Sequence, residues 1–321
     1  MSTKTKMQKR SVNKNSNNIE INDDDKTLKK VVTHTTSTKR KLYTWHEIPD
    51  WQKDNEYIHG GYVKETNSFT ECINSLFYIH NETVNIYSHL IPGLISLGLV
   101  TIDKYCIPKF NTTTITDYIF IDLFFLGAFA CLTMSSTFHC LKSHSPGVAK
   151  FGNKLDYLGI VVLISTSMVS ILYYGFYDNS FMFYLFSGIT LMFGIACAIV
   201  SLDEKFRTRE WRPYRAAMFV MFGLSAFLPI GVGLIYYGSH ETWTRVQLKW
   251  IILEGVFYIF GAFLYGGRLP EKYRPGHYDI WGHSHQIFHV LVVVAALCHL
   301  TGLIESYRYV HSYMIPLMMQ A

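Results

Sequence analysis

The apolar positions of this chain fall in long unbroken runs, and the polar positions fall between them. Seven runs are long enough to cross a bilayer core, which takes about 20 helical residues. They lie at roughly 85–103, 117–140, 155–177, 180–201, 216–238, 248–266 and 285–305. The runs are continuous and do not alternate, so they predict helices and not a barrel. The fold expected is an all-α membrane protein, a bundle of seven transmembrane helices. Pro92 and Pro229 fall inside runs and are expected to kink their helices.

The pattern is different before the first run. Residues 1–41 are rich in Lys, Ser, Thr and Asn and poor in apolar residues. Such a segment cannot bury enough surface to order itself and reads as a disordered basic tail. From 42 to 84 the aromatic residues return, among them Tyr43, Trp45, Trp51, Tyr57, Tyr62 and Phe69. This reads as an ordered juxtamembrane element with a helix near 68–80, packed on one membrane face. The helical domain follows over 85–306, and 307–321 reads as a short tail. No signal peptide is visible, so the first run is expected to act as the targeting signal.

Composition adds direction. About half of the 321 residues are apolar, and the net charge is +5. The loops after runs two, four and six carry eleven Lys and Arg between them, from Lys142 to Arg274. The opposite side carries five: Lys104, Lys109, Arg245, Lys249 and Arg308. The positive-inside rule then puts the N-terminus in the cytosol and the C-terminus outside. The sequon at Asn111 falls in an outer loop and agrees. Trp211, Trp243, Trp250 and Trp281 lie at run ends, where an interfacial belt expects them. Six cysteines, most of them in or beside runs and Cys106 out in a loop, suggest small buried thiols and no disulfide framework. A multi-pass location follows, in the plasma membrane or alternatively the endoplasmic reticulum. Nothing in the chain points to a nucleic-acid partner.

The chemistry is in the ends of the runs. His285 and His289 are four apart and share one helix face, a turn inside the seventh run. His139 ends the second run at the same depth, and Asp156 opens the third there. Ser135 is four residues before His139 and shares its face. Glu82, Asn85 and His89, at i, i+3 and i+7, also share a face. Ionisable groups in spans usually turn to the bundle interior or a cavity. His139, His285 and His289 can serve as zinc ligands, and three protein nitrogens leave the fourth position of a catalytic site open. Asp156 would then act as a base, and Ser135 would bond water or a substrate carbonyl. The bland alternative is that each histidine is a hydrogen-bonded residue near an interface. Glu82, Asn85 and His89 suit a polar clamp between helices better than a functional triad. His283 and His144 lie at or beyond helix ends and read as loop or supporting groups. Asp122, Asp203, Glu204 and Glu254 are further acids to which the pattern gives no role.

Several of these stretches also carry a resemblance. ETVNIYSHL (82–90), SSTFHCLKSHS (135–145), KLDYLGI (154–160), PEKYRPGHYDIWGHSHQIFHVLVV (270–293) and REWRPYRA (209–216) resemble the progestin and adiponectin Q receptor family, also called haemolysin III-related. Similarity runs over about 42–306 and is nearest to the fungal Izh-type members, which are implicated in zinc and sterol homeostasis. The resemblance implies zinc on His139, His285 and His289, with Asp156 and Ser135 in the site. It further implies a ceramidase-type amidohydrolase acting on a ceramide-like membrane lipid. An extracellular osmotin-like protein is the implied ligand, and no heterotrimeric G protein is expected. A receptor whose zinc is purely structural is the main alternative. A zinc transporter is favoured least, because the ligands cluster at one face instead of the midplane.

Overall fold

The computed structural model describes residues 41–207 and 209–320. The tail expected over 1–41 lies outside the described residues apart from Lys41. The described residues are mainly helical, and among them the one β contact is an antiparallel bridge between Tyr43 and Tyr62. Helices alone satisfy every backbone group without water, which is what a bilayer demands of an open chain.

A short helix α1 (Phe69–Asn74) continues into a 3-10 turn at Ser75–Phe77. Then come α2 (Thr83–Cys106), α3 (Ile115–Leu141), α4 (Pro146–Gly175) and α5 (Ser180–Leu202). They are followed by α6 (Arg212–Leu224), α7 (Phe227–Tyr236), α8 (Ser239–Arg245), α9 (Leu248–Gly267) and α10 (Ser284–Tyr309). A π turn over Val310–Met314 leads into α11 (Ile315–Met318). Seven segments among the described residues are long and apolar enough to span a membrane. Large apolar side chains such as Ile95, Tyr184, Ile195 and Phe260 are exposed on the bundle's outside, as lipid-facing positions are.

Three expectations shift. The helix expected near 68–80 is shorter, ending in the 3-10 turn. The fifth run is not one helix but two, α6 and α7, which break at Ser225–Ala226. Pro229 has no N–H for the Ser225 carbonyl, so the ladder fails there. The seventh span does not stop near 305, and 307–321 does not trail as a tail. Tyr307, Val310, His311 and Met314 are buried, and His311 Nε2 lies 3.0 Å from Asp117 Oδ1. That contact extends the helix past Arg308.

α3 is the central helix. Its Ile121, Phe124, Phe125, Ala128 and Leu132 are buried against α2, α4 and α10. A capping box starts it, with the Thr114 N–H and hydroxyl both donating to Asp117 Oδ2 at 2.8 Å. Glycine lets α4 come close. A Cβ on Gly159 would stand 2.9 Å from Cys131 Cα, which is backbone and has no rotamer to yield.

The juxtamembrane element docks on the connection between α9 and α10. Arg268 donates to Asn55 Oδ1 at 3.2 Å and to the Asp54 carbonyl at 2.9 Å. Glu271, fully buried, accepts from Asn55 Nδ2 at 3.1 Å and from the Ser284 N–H at 2.8 Å, and it also takes the Ser284 hydroxyl. One carboxylate therefore joins the segment before the first span to the first turn of the last. Such charge near a helix N-terminus is favourable in itself.

The glycine contact makes a testable demand. Gly159→Leu is expected to cost about 1–3 kcal/mol by overpacking and to lower the unfolding temperature in detergent. Gly188→Ala, where a Cβ meets nothing within 4 Å, is expected to leave that temperature unchanged or higher. Equal midpoints for Gly159→Leu and wild type would remove this contact as a determinant of the bundle.

Candidate metal centre

Three imidazoles meet where the last turn of α3 faces the first turns of α10. The ring centroids of His139, His285 and His289 lie 4.8–4.9 Å apart, each pair near perpendicular. One nitrogen from each falls within 4.8 Å of the others. His139 and His289 are buried, and His285 is partly exposed. The helical period explains the pair on α10, since residues i and i+4 stack on one face.

The orientation of each ring has a cause. His139 Nδ1 lies 2.8 Å from Glu82 Oε2, and a carboxylate can only accept, so Nδ1 carries the proton. His289 Nδ1 lies 3.0 Å from the Asn85 carbonyl, which forces the same tautomer. Both rings therefore turn Nε2 lone pairs toward the shared centre. Among the described residues, His139 Nε2 is buried with no partner. A buried nitrogen left so costs free energy unless a hydrogen-bond donor or a metal ion takes its lone pair. Nitrogen donors in this number suit zinc, and the carboxylate and carbonyl behind them are the supports that metal-bound histidines use.

Glu82 anchors the arrangement. Lys142 Nζ donates to Oε1 at 2.7 Å and Asn85 Nδ2 donates to Oε2 at 2.6 Å. Burial pushes this carboxyl up, but Lys142 and His139 outweigh burial and hold it well below the usual carboxylate range. The clamp expected of Glu82 and Asn85 is thus directed at the histidines themselves. His89 stacks flat on His289, with centroids 3.8 Å apart and 6° between planes, and its Nε2 lies 3.2 Å from the His289 carbonyl. His283 caps α10 away from the trio, its Nε2 3.4 Å from the Asn81 carbonyl, and burial lowers its basicity.

Ser135 is buried one turn before His139, and Asp156 stands near it on α4. Both side chains line a cavity of about 720 Å³ that His285 and His289 also line. The cavity extends between α4, α6, α7, α9 and α10 past aliphatic residues such as Ile230 and Ile251. The five residues expected to form the site are therefore together. Sequence reasoning had counted Lys142 only as a loop charge. It also missed Tyr265, whose ring packs 4.9 Å from His285. Lys142 stands three residues after His139, and that i, i+3 spacing was the available signal.

A helical membrane bundle with a buried three-histidine cluster beside a large apolar cavity is thus defined. A family model described as haemolysin-III related matches residues 77–300. The chain belongs to that family, and within it to the fungal, adiponectin-receptor-like branch. It is 63% identical over 272 residues to the "ADIPOR-like receptor IZH2" of Saccharomyces cerevisiae, covering 85% of this chain and 86% of that one. It is 44% identical over 286 residues to the "ADIPOR-like receptor IZH1" of Eremothecium gossypii, covering 87% and 90%. The "Adiponectin receptor protein" of Drosophila melanogaster is 39% identical over 274 residues, or 84% of this chain and 60% of the fly protein.

Proposed function

We propose that this protein is a zinc-dependent lipid amide hydrolase of ceramidase type, working at the cytosolic face of its membrane. The observation that carries the reading is the buried, unpartnered His139 Nε2. It is set among the ring nitrogens of His285 and His289, beside a cavity that holds Ser135 and Asp156. His139, His285 and His289 would hold the ion. Zinc bound there supplies Lewis-acid polarisation of a carbonyl and lowers the pKa of water.

The chain's own groups do the rest. Asp156 takes the proton from the attacking water and passes it to the departing amine nitrogen as the carbonyl–nitrogen bond breaks. Ser135 donates to that carboxylate and fixes its direction. Glu82 and the Asn85 carbonyl hold two of the imidazoles in one tautomer. The aliphatic cavity takes the hydrocarbon chains and keeps bulk water from the amide. The products are a fatty acid and a sphingoid base.

The histidine end is assigned to the cytosol by the excess of Lys and Arg in its loops, with the N-terminus on that side. The plasma membrane is the proposed location, with the endoplasmic reticulum as alternative, and zinc, sterol and lipid homeostasis as the setting. An extracellular osmotin-like protein is the proposed ligand. A receptor with purely structural zinc is the second reading. The naming of its relatives as receptors favours it, as does a centre that ties α2, α3 and α10 together.

Two measurements test this. Ceramide turnover in nanodiscs is expected to fall at least about 100-fold in Asp156→Asn while zinc content is unchanged. No turnover by zinc-loaded wild type on ceramide or other lipid amides would leave the structural-zinc receptor. Glu82→Gln is expected to weaken zinc binding by about 10–100-fold in competition with a chelator, because it loses the charged support of His139. Unchanged affinity would mean that Glu82 does not act through the metal ligand.

A further inference from the structure

The cavity wall carries a second polar pair that the hydrolytic chemistry does not use. Glu254 on α9 and His299 on α10 both line it. His299 is ten residues beyond His289 on the same helix, about 15 Å further along at the α-helical rise. It is 4% exposed. Its ring stacks on Phe124 with centroids 4.9 Å apart, and its Nδ1 lies 2.8 Å from Glu254 Oε2. Its Nε2 is buried and has no partner among the described residues. The neighbouring wall is aliphatic, with Ile230, Leu248 and Ile251.

An acid and an imidazole in an apolar wall are costly to keep, and a pair left half satisfied costs more than an apolar wall would. The pairing fixes the ring, since Glu254 takes Nδ1 and leaves Nε2 as the nitrogen without a partner, on a residue of the cavity wall. A neutral ring offers an acceptor there, and a charged ring offers a donor. A hydroxyl can answer either, because it both donates and accepts. A methylene chain can answer neither.

We propose that Glu254 and His299 form a hydrogen-bonding subsite for a hydroxyl carried part-way along the hydrocarbon chain of a bound lipid. The preferred ligand is then a hydroxylated acyl chain whose carboxyl-derived end lies at the three histidines. This rests on the cavity being the lipid site of the hydrolase reading. Chain hydroxylation becomes the feature that the deep end selects, and the distance between the two polar centres selects the position of the hydroxyl.

The test is equilibrium binding of octadecanoic acid and its mid-chain monohydroxy isomers to purified protein in nanodiscs, by displacement of a fluorescent fatty acid. One hydroxy isomer is expected to bind wild type about tenfold tighter than the unsubstituted chain, and isomers hydroxylated nearer either end are expected to lose that gain. His299→Leu is expected to abolish the preference without weakening the unsubstituted acid, and His299→Gln to retain part of it. Equal binding of all chains to wild type, as when solvent water fills the subsite, overturns the proposal and leaves the lipid cavity standing. A preference that survives in His299→Leu also overturns it. Binding of none of the acids overturns both the subsite and the lipid reading beneath it. The isomer series on wild type decides the matter even where a variant fails to fold.

Discussion

The Glu82 carboxylate sets the register of three helices. It stands at the N-terminus of α2 and accepts from Asn85 on its own helix, from His139 on α3 and from Lys142 just beyond the end of α3. A largely buried charge is tolerable only when it is paired and fully hydrogen-bonded, and removing one partner costs far more than the pair returns. The end of α3 therefore cannot turn relative to α2 without stranding a carboxylate. The Asn85 carbonyl then fixes His289 on α10. Two imidazoles are aimed by groups one turn apart on α2, and the third follows from the helical repeat of α10. The centre is rigid because its supports are part of the packing between spans.

Packing differs on the two sides of that centre. Toward α2 and α4 the helices approach through glycine: Gly93 lies against Thr133, Gly127 against Thr166, and Gly159 against the backbone at Cys131. Toward α6, α7 and α9 there is a cavity instead. His139 lies on the tight side, and His285 and His289 on the cavity wall. The same arrangement gives an unyielding histidine cluster and one apolar approach to it. Chemistry on a long-chain substrate needs both, since the reacting bond must be held while the chain is accommodated.

Much of this was legible in the chain. The seven runs were visible because a bilayer allows so few backbone solutions. Helical spacing and depth together point to the histidines: His139, Asp156 and His285 stand on three different runs but lie at the same end of them, and Ser135 shares the face of His139. What depended on rotation about a helix axis was not legible. Nothing local says that Glu82 turns toward His139, 57 residues away, and not toward His89 on its own face. Glu254 stood as an unexplained acid in an apolar run until α10 placed His299 beside it. The end of the seventh span was misjudged because Arg308 and His311 read as tail residues. Only the Asp117 carboxylate on another helix makes His311 a buried one. The break in the fifth span was half legible, since Pro229 announced a disturbance without saying that the helix would restart.

The segment before the first span bears both on the mouth of the cavity and on the histidine cluster. Trp51, Gln52, Lys53 and Asp54 contribute to the cavity wall, so this element forms part of the mouth. It is held there by Arg268 and by Glu271, and Glu271 also holds the Ser284 N–H at the start of α10. Ser284 is the residue before His285. Displacing the juxtamembrane element strips Asn55 from a fully buried carboxylate whose remaining bonds set the first turn of α10, the helix that carries His285 and His289. The cost of that exposed imbalance falls on α10 whichever face the disturbance comes from. Access to the cavity and the placement of His285 are therefore joined through one side chain. A partner that moves the mouth would alter the centre without touching it.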